Sequence, residues 1–346
     1  MRPVIKPALR RLRRDKTTVQ IGLDSRRAVV LTGQSAMHVL NALDGTRDRQ
    51  QVLAHVHRAG VPEETAERVL DLLAERGMLD DETTHTESLR GLSLAERDRL
   101  RPDLASFSLL SASTDAGLTT LGRRRRATVQ VHGAGRVGAT IASLLAASGI
   151  GHVNPIDPDT ARYTDATPGG LSCSDAGTRR DRAAAAALRR TAPATQDDHV
   201  TQPDLAILAP VDRADHKLPD ALLREQIPHL IAIVQEANGV VGPLVVPESS
   251  ACLRCQHLHR VDRDPAWPRL AAQLELPNVS TESCDTVLAS AVATLAASQA
   301  LAYLDDSDDP ISTLNGALEL SLPDLQWRRR SWPPHPRCGC RWNANH

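Results

Sequence analysis

The chain has almost no aromatic residues. Phe, Tyr and Trp make up 2% of its 346 residues, against an apolar fraction of 41%. Any core must therefore be built from Ala, Leu and Val, and the length suits one large domain plus a small one. Net charge is missing too: 41 basic side chains stand against 42 acidic ones, −1 overall. That removes a global electrostatic reason to bind nucleic acid or a membrane. The N-terminus is basic, but Pro3, Pro7 and the charges after them leave no apolar segment suited to a secretory signal. The longest apolar stretch, Val287 to Leu304, is rich in Ala and Ser, carries Gln299 and follows Asp285. It reads as a buried helix rather than a membrane span. Six cysteines in a chain of this length do not make a secreted disulfide framework. A cytoplasmic, reducing location is expected, and no internal repeat is visible.

What the chain does have is a split set of four cysteines. Cys252 and Cys255 form a C-x-x-C, and Cys338 and Cys340 form a C-x-C near the C-terminus. Two close pairs far apart in sequence predict one tetrahedral zinc site that ties the tail to the body. Four thiolates fill the shell and leave no place for a water, so the role is structural. His257 and His259 read as solvated or core side chains for the same reason. Cys173 and Cys284 remain. The bland reading for both is an inert small residue, although Cys284 stands where a helix N-terminus would lower a thiol pKa.

Three parts are expected along the chain. In residues 1–82, Thr17 to Gly22 and Arg27 to Gly33 read as strands, and three helical stripes follow. Ala66, Val69, Leu70 and Leu73 show i, i+3, i+4, i+7 spacing, with Pro62 before them, Glu63 and Glu64 in the first turn, and Gly77 past the end. Strands with three small helices suggest a winged-helix-like α+β module. Residues 83–126 read as a polar linker with one helix, Ser93 to Leu100. The basic runs Arg10 to Arg14 and Arg123 to Arg126 read as solvated surface or linker. Residues 127–346 alternate strand and helix: Thr128 to His132, Gly138 to Ala147, His152 to Ile156, Asp175 to Arg190, Asp204 to Ala209, His229 to Val234 and Val240 to Val246. The rhythm predicts an α/β fold with a mostly parallel, doubly wound sheet.

Gly133-Ala134-Gly135-Arg136-Val137-Gly138 directly follows a strand and opens a helix. Glycines there let the backbone turn tightly and approach a phosphate at the helix N-terminus. Asp157 ends the next strand, 19 residues after Gly138, where an acid binds ribose hydroxyls.

With Asp157-Pro158-Asp159 and the four cysteines, residues 127–340 resemble the ThiF/MoeB family, relatives of ubiquitin-activating enzymes. The resemblance implies a Rossmann-like fold that uses ATP and Mg2+ to adenylate a carboxylate of a peptide or small protein. It implies homodimers, with Gly133, Gly135, Arg136, Gly138, Asp157 and Asp159 about the nucleotide. Arg180, in Asp175-Ala176-Gly177-Thr178-Arg179-Arg180, falls at the family's phosphate-binding lysine, and Asp212 at its magnesium ligand. Gly239-Val240-Val241-Gly242-Pro243-Leu244, followed by the first cysteine pair, keeps the family order. The chain departs from the family at Arg136, where a further glycine pair is usual. It also departs at Tyr163 to Gly170, which lacks a phosphate-neutralising arginine, and phosphoryl chemistry depends on such cations.

Residues 1–82 resemble PqqD-like leader-peptide recognition domains, which bind a precursor's leader as an added strand. That resemblance places the groove between Ala28, Val29, Val30 and Leu31 and the helix carrying Val69 and Leu73. The acidic third helix, with Glu63, Glu64, Glu67, Asp71 and Glu75, argues against DNA. The leading expectation is a zinc-containing, leader-binding protein of modified-peptide biosynthesis, its ATP site degenerate, presenting a precursor to a partner such as a YcaO-type cyclodehydratase. The alternative is an active adenylyltransferase. A nicotinamide-dependent dehydrogenase is permitted by the glycine loop but not favoured by the split cysteines.

Overall fold

A computed structural model describes residues 1–84, 87–198, 200–210, 217–274, 283–307 and 309–340. The chain divides into two compact units, Met1–Gly122 and Arg123–His346.

The first unit opens with β1 (Pro3–Ile5) and an antiparallel sheet of β2 (Arg11–Arg13), β3 (Thr18–Ile21) and β4 (Val29–Thr32), in that order. Part of the basic run expected as surface or linker is thus the edge strand β2. Three helices follow, α1 (Gln34–Ala42), α2 (Arg49–Arg58) and α3 (Glu63–Glu75), and β5 (Leu79–Asp81) returns to pair antiparallel with β1. Local chemistry sets the helix starts. Asp48 accepts the Gln51 N–H at 2.9 Å while the Gln51 side chain accepts the Asp48 N–H at 3.1 Å, a reciprocal cap for α2. Glu63 and Glu64 place negative charge at the N-terminus of α3. Ala66, Val69, Leu70 and Leu73 are its buried face, and they join Val19, Ile21, Val29 and Leu31 of the sheet in one core. Next, α4 (Leu94–Leu110) runs through Pro102, past its expected end at Leu100. Then α5 (Leu118–Arg126) leads into the second unit.

The second unit begins β6 (Thr128–His132), α6 (Arg136–Ala147), β7 (His152–Ile156), α7 (Arg180–Thr191), β8 (Leu205–Leu208), α8 (Lys217–Arg224) and β9 (His229–Gln235). It continues β10 (Asn238–Val245), α9 (Leu253–Arg263), α10 (Trp267–Leu274), α11 (Thr286–Leu304), β11 (Gly316–Ser321) and β12 (Gln326–Ser331). The sheet order is β12-β11-β10-β9-β8-β6-β7. The four strands β9, β8, β6 and β7 are parallel, and three antiparallel strands extend them. The change of direction occurs at Glu236 and Ala237, both at positive φ (49° and 63°), a two-residue hairpin turn whose twist matches that of its strands. Leu205 and Ile207 face α6 and α11, while Ala206 and Leu208 face α8, so both faces of the sheet are covered. The helix expected over Asp175 to Arg190 starts later, at Arg180, because Gly177 (φ 88°) closes a turn before it.

α11 is the one described helix long and apolar enough to cross a membrane. Here Leu288, Ala289, Val292, Ala293, Ala296, Ala297 and Ala300 are buried, against α6 and the sheet. Alanines let the helices approach closely, which is how a core nearly free of rings still fills. Asp305, just past its end, accepts two bonds from Arg124, at 2.8 and 2.6 Å. Arg124 is buried, so the basic run read as solvated or linker contains a buried ion-pair partner.

Candidate functional site

The strand order makes a crevice. The chain leaves β6 for β7 on one side, then crosses to β8 on the other, so the carboxyl ends of β6 and β8 diverge at a switch point, where such sheets bind ligands. Gly133 follows β6 at φ 93°, and a Cβ there would lie 2.0 Å from the Ala209 carbonyl oxygen just beyond β8. A Cβ on Gly138 would lie 1.8 Å from the Gly133 oxygen. Both glycines are therefore required by close approach of backbone to backbone. Gly135 is the N-cap of α6 and supplies no side-chain cap, which leaves the helix amides to another acceptor. Asp157, buried at the end of β7, accepts the Ala134 N–H at 2.8 Å and the Asp159 N–H at 3.1 Å. Its carboxylate pins the glycine loop to the neighbouring strand.

Arg180 is the first residue of α7 and is 1% exposed. Its guanidinium grips Asp165 with two bonds, at 2.9 and 3.1 Å, and lies 3.8 Å from both Asp157 and Asp159. The structure thus brings together Arg180, Asp157 and Asp159, and adds Asp165, which sequence reasoning missed. The stretch from Tyr163 to Gly170 has Asp165 as its one acid, and no local pattern in the chain marks it as a partner for Arg180. Asp165 is also buried, so removing it takes both side-chain hydrogen bonds from a buried cation and leaves it Asp157 and Asp159 at 3.8 Å. Asp165→Ala is expected to destabilise the protein by about 3–5 kcal/mol, measured by urea unfolding. A loss below about 1 kcal/mol would show that Asp157 and Asp159 alone satisfy Arg180.

Arg136 does not extend freely. Its Nε donates to the Thr164 carbonyl at 2.7 Å and a terminal nitrogen donates to the Cys284 carbonyl, which fastens two loops to the start of α6. Cys284 is half-buried among apolar neighbours, and Cys173 is exposed in a short turn. Asp212 lies outside the described residues.

In the same unit the four cysteines converge. Their sulfur atoms lie within 4.8 Å of one another, with Cys252 to Cys338 at 3.4 Å, Cys255 to Cys340 at 3.5 Å and Cys252 to Cys255 at 3.9 Å. A tetrahedron of sulfurs about 2.3 Å from a zinc ion has edges of about 3.8 Å, so the set fits that ion. Cys255 accepts hydrogen bonds from Cys252 and from the His335 N–H, which pull its thiol down to about 4, while the bond to Cys255 and burial push Cys252 up. Four sulfur atoms converging at this spacing, with three of the four cysteines buried, are a donor set suited to a cation. The neighbouring histidines are engaged elsewhere: Trp267 Nε1 donates to His257 Nδ1, and His259 Nε2 lies 2.9 Å from the Pro333 carbonyl.

In the first unit, Val29, Leu31, Val69 and Leu73 all belong to the hydrophobic core, so the side chains proposed to line a groove are committed to packing. The backbone tells more. Among the described strands, β4 pairs only with β3. The Gly33 N–H bonds to the Thr17 oxygen, so the antiparallel alternation turns Leu31 and Val29 toward β3. The N–H and C=O groups of Val30 and Thr32 then face the open edge, and the Val30 side chain is exposed. Ala28 lies at the start of that strand.

The ThiF family model matches residues 109–341. No curated protein matches. Among solved structures, Escherichia coli MccB with ATP is 16% identical at a TM-score of 0.72, over 98% of this chain and 99% of that one. The microcin C7 biosynthetic enzyme MccB in complex with N-formylated MccA gives the same figures. PaaA is 19% identical at a TM-score of 0.69, over 93% of this chain and 98% of its own. At such identities the likeness is one of fold.

Proposed function

The chain belongs to the ThiF family, and from that premise we propose that it is an ATP-dependent enzyme of ribosomal-peptide modification. It binds a precursor peptide along β4 of its first unit, a PqqD-like module, and adenylates a carboxylate of that peptide in the second. The observation that carries this reading is the glycine loop, closed on Asp157 and kept free of side chains at Gly133 and Gly138. Its similarity over nearly the full chain to MccB, solved both with ATP and with a peptide, supports placing the two activities together.

In the reaction, a carboxylate oxygen attacks the α-phosphorus of ATP, the bond to the bridging oxygen breaks, and pyrophosphate leaves with that electron pair. The amides of the α6 N-terminus hold phosphate oxygens. Asp157 and Arg180 keep the loop and the Asp165 turn in register, a positioning role rather than a direct phosphate contact. A magnesium ion on Asp212 would neutralise phosphate charge. Zinc on Cys252, Cys255, Cys338 and Cys340 would hold the tail in place and take no part in the chemistry. A reducing cytoplasm and a homodimer accord with this assignment.

One observation favours a second reading. Arg180 is already neutralised by Asp165, so the phosphates have lost a cation. In that case the second unit is a scaffold that presents the peptide to a partner such as a YcaO-type cyclodehydratase.

The test is ATP–pyrophosphate exchange with the short peptides encoded beside the gene. Exchange is expected only with a cognate peptide. Val30→Pro removes an outward N–H and puts a ring on the open edge, but breaks no bond to β3. It is expected to raise the KM for peptide tenfold or more and leave that for ATP unchanged. Tight peptide binding without exchange selects the scaffold. Val30→Pro with wild-type peptide KM refutes docking on β4.

A further inference from the structure

Beside the start of β4 the first unit holds a cavity of about 590 Å³, within the range of pockets that take small ligands or side chains (roughly 300–1,000 Å³). Its apolar lining is Leu9, Leu23, Met78, Leu109 and Leu110. Met78 is buried, but Leu23 and Leu110 are 68% and 74% exposed, two large apolar side chains at one opening. Single exposed leucines need no explanation, whereas a pair on one cavity marks a contact surface.

The charge around it is uneven. Arg10, Arg26, Arg27 and Arg76 line it, against Asp24 and Glu75. Arg26 holds the Asp24 carboxyl down at about 2, so that pair is ionised and cancels. Arg27 donates to the Leu109 carbonyl at 2.7 Å and closes a wall. Against the one acid that remains, Glu75, stand Arg10 and Arg76, both exposed and without an ion-pair partner among the described residues. Beyond Arg10 the positive strip continues with Arg11, Arg13, Arg14 and Lys16 along β2 and its turn. A cavity with a greasy floor and unpaired guanidinium groups on its rim suits an apolar side chain set between carboxylates.

Its position supplies the occupant. Ala28 lines the cavity and β4 begins at the next residue, so a strand added to the open edge of β4 runs into it at one end. We propose that this cavity is a specificity pocket for the precursor peptide, and that it selects an acidic segment carrying one large apolar side chain. The proposal rests on the peptide-binding reading above and names the peptide's chemical class.

The test uses the full-length protein and a displayed library of random 12-residue peptides, with selected peptides then measured by fluorescence anisotropy. Selection is expected to enrich Asp and Glu around a Leu, Ile or Phe. The double variant Arg10→Glu/Arg76→Glu, both positions exposed, should keep the wild-type thermal melt and bind those peptides at least tenfold more weakly. Repeating the selection on that variant should favour basic flanks. Enriched peptides without acids, or equal affinity for the charge-reversed protein, would overturn the cavity assignment. If such peptides are still lost in Val30→Pro, docking on β4 stands and only the pocket fails. If no peptide is enriched on the wild-type protein, both fail together.

Discussion

Purified protein is expected to carry one zinc ion per chain, and Cys255→Ser is expected to lose it and melt about 10 °C lower or more. Four sulfurs within 4.8 Å of one another, mostly buried, form a cluster whose spacing matches the edges of a zinc tetrahedron. The thiols belong to two segments 86 residues apart, so the ion closes a long loop. Structural zinc in small peptides supplies about 10–16 kcal/mol of binding free energy. Here Val245 and Ala251 with partly buried Leu258 and Trp332 pack around the cysteines, so packing carries part of the clasp. A loss of about 4–5 kcal/mol converts to roughly 10–20 °C for a unit of this size. Elemental analysis and a thermal melt check both halves. A metal-free preparation that melts like the loaded protein, with Cys255→Ser indistinguishable from either, would rule out a structural metal.

Gly138→Ala is expected to abolish ATP binding, with the dissociation constant rising at least a hundredfold. On helix propensity alone alanine should gain about 1 kcal/mol inside α6. The neighbour decides otherwise. The new Cβ would sit 1.8 Å from the Gly133 oxygen, and Gly133 is itself wedged against the Ala209 carbonyl. Overpacking against movable side chains costs about 1–3 kcal/mol. Here both obstacles are backbone, so the loop must open and release the bond between Ala134 and Asp157. Calorimetric titration with ATP and a thermal melt are the measurements. An alanine variant that binds ATP as the wild type does would mean that the loop is not the nucleotide site.

Much of this is legible in the sequence because it is local. A strand that ends in glycines and opens a helix needs no distant partner to be recognised. The strands Thr128–His132 and His152–Ile156 fall where period and turn residues put them. The cysteine pairs can be matched across the chain because two close pairs at metal-ligand spacing are the signature of one split zinc site. Less legible were the antiparallel strands β11 and β12. The latter, Gln-Trp-Arg-Arg-Arg-Ser, is exposed throughout and shows no alternation of apolar residues.

The sequence by itself determined the glycine turn, the α/β rhythm and the four-thiol clasp, since each follows from the geometry of neighbouring residues or from the chemistry of one element. Only the tertiary structure decided the state of the arginines. In the chain, Arg180 falls at a phosphate-binding lysine, Arg136 interrupts the glycine loop, and Arg124 sits in a basic run that reads as surface or linker. In the fold the first is held by Asp165, the second by the Thr164 and Cys284 carbonyls, and the third by Asp305. Charge belongs to a residue, but whether that charge is available depends on desolvation and on partners brought from elsewhere in the chain. The same holds for β4, whose residues announce a strand while only the sheet order shows that one of its edges is open.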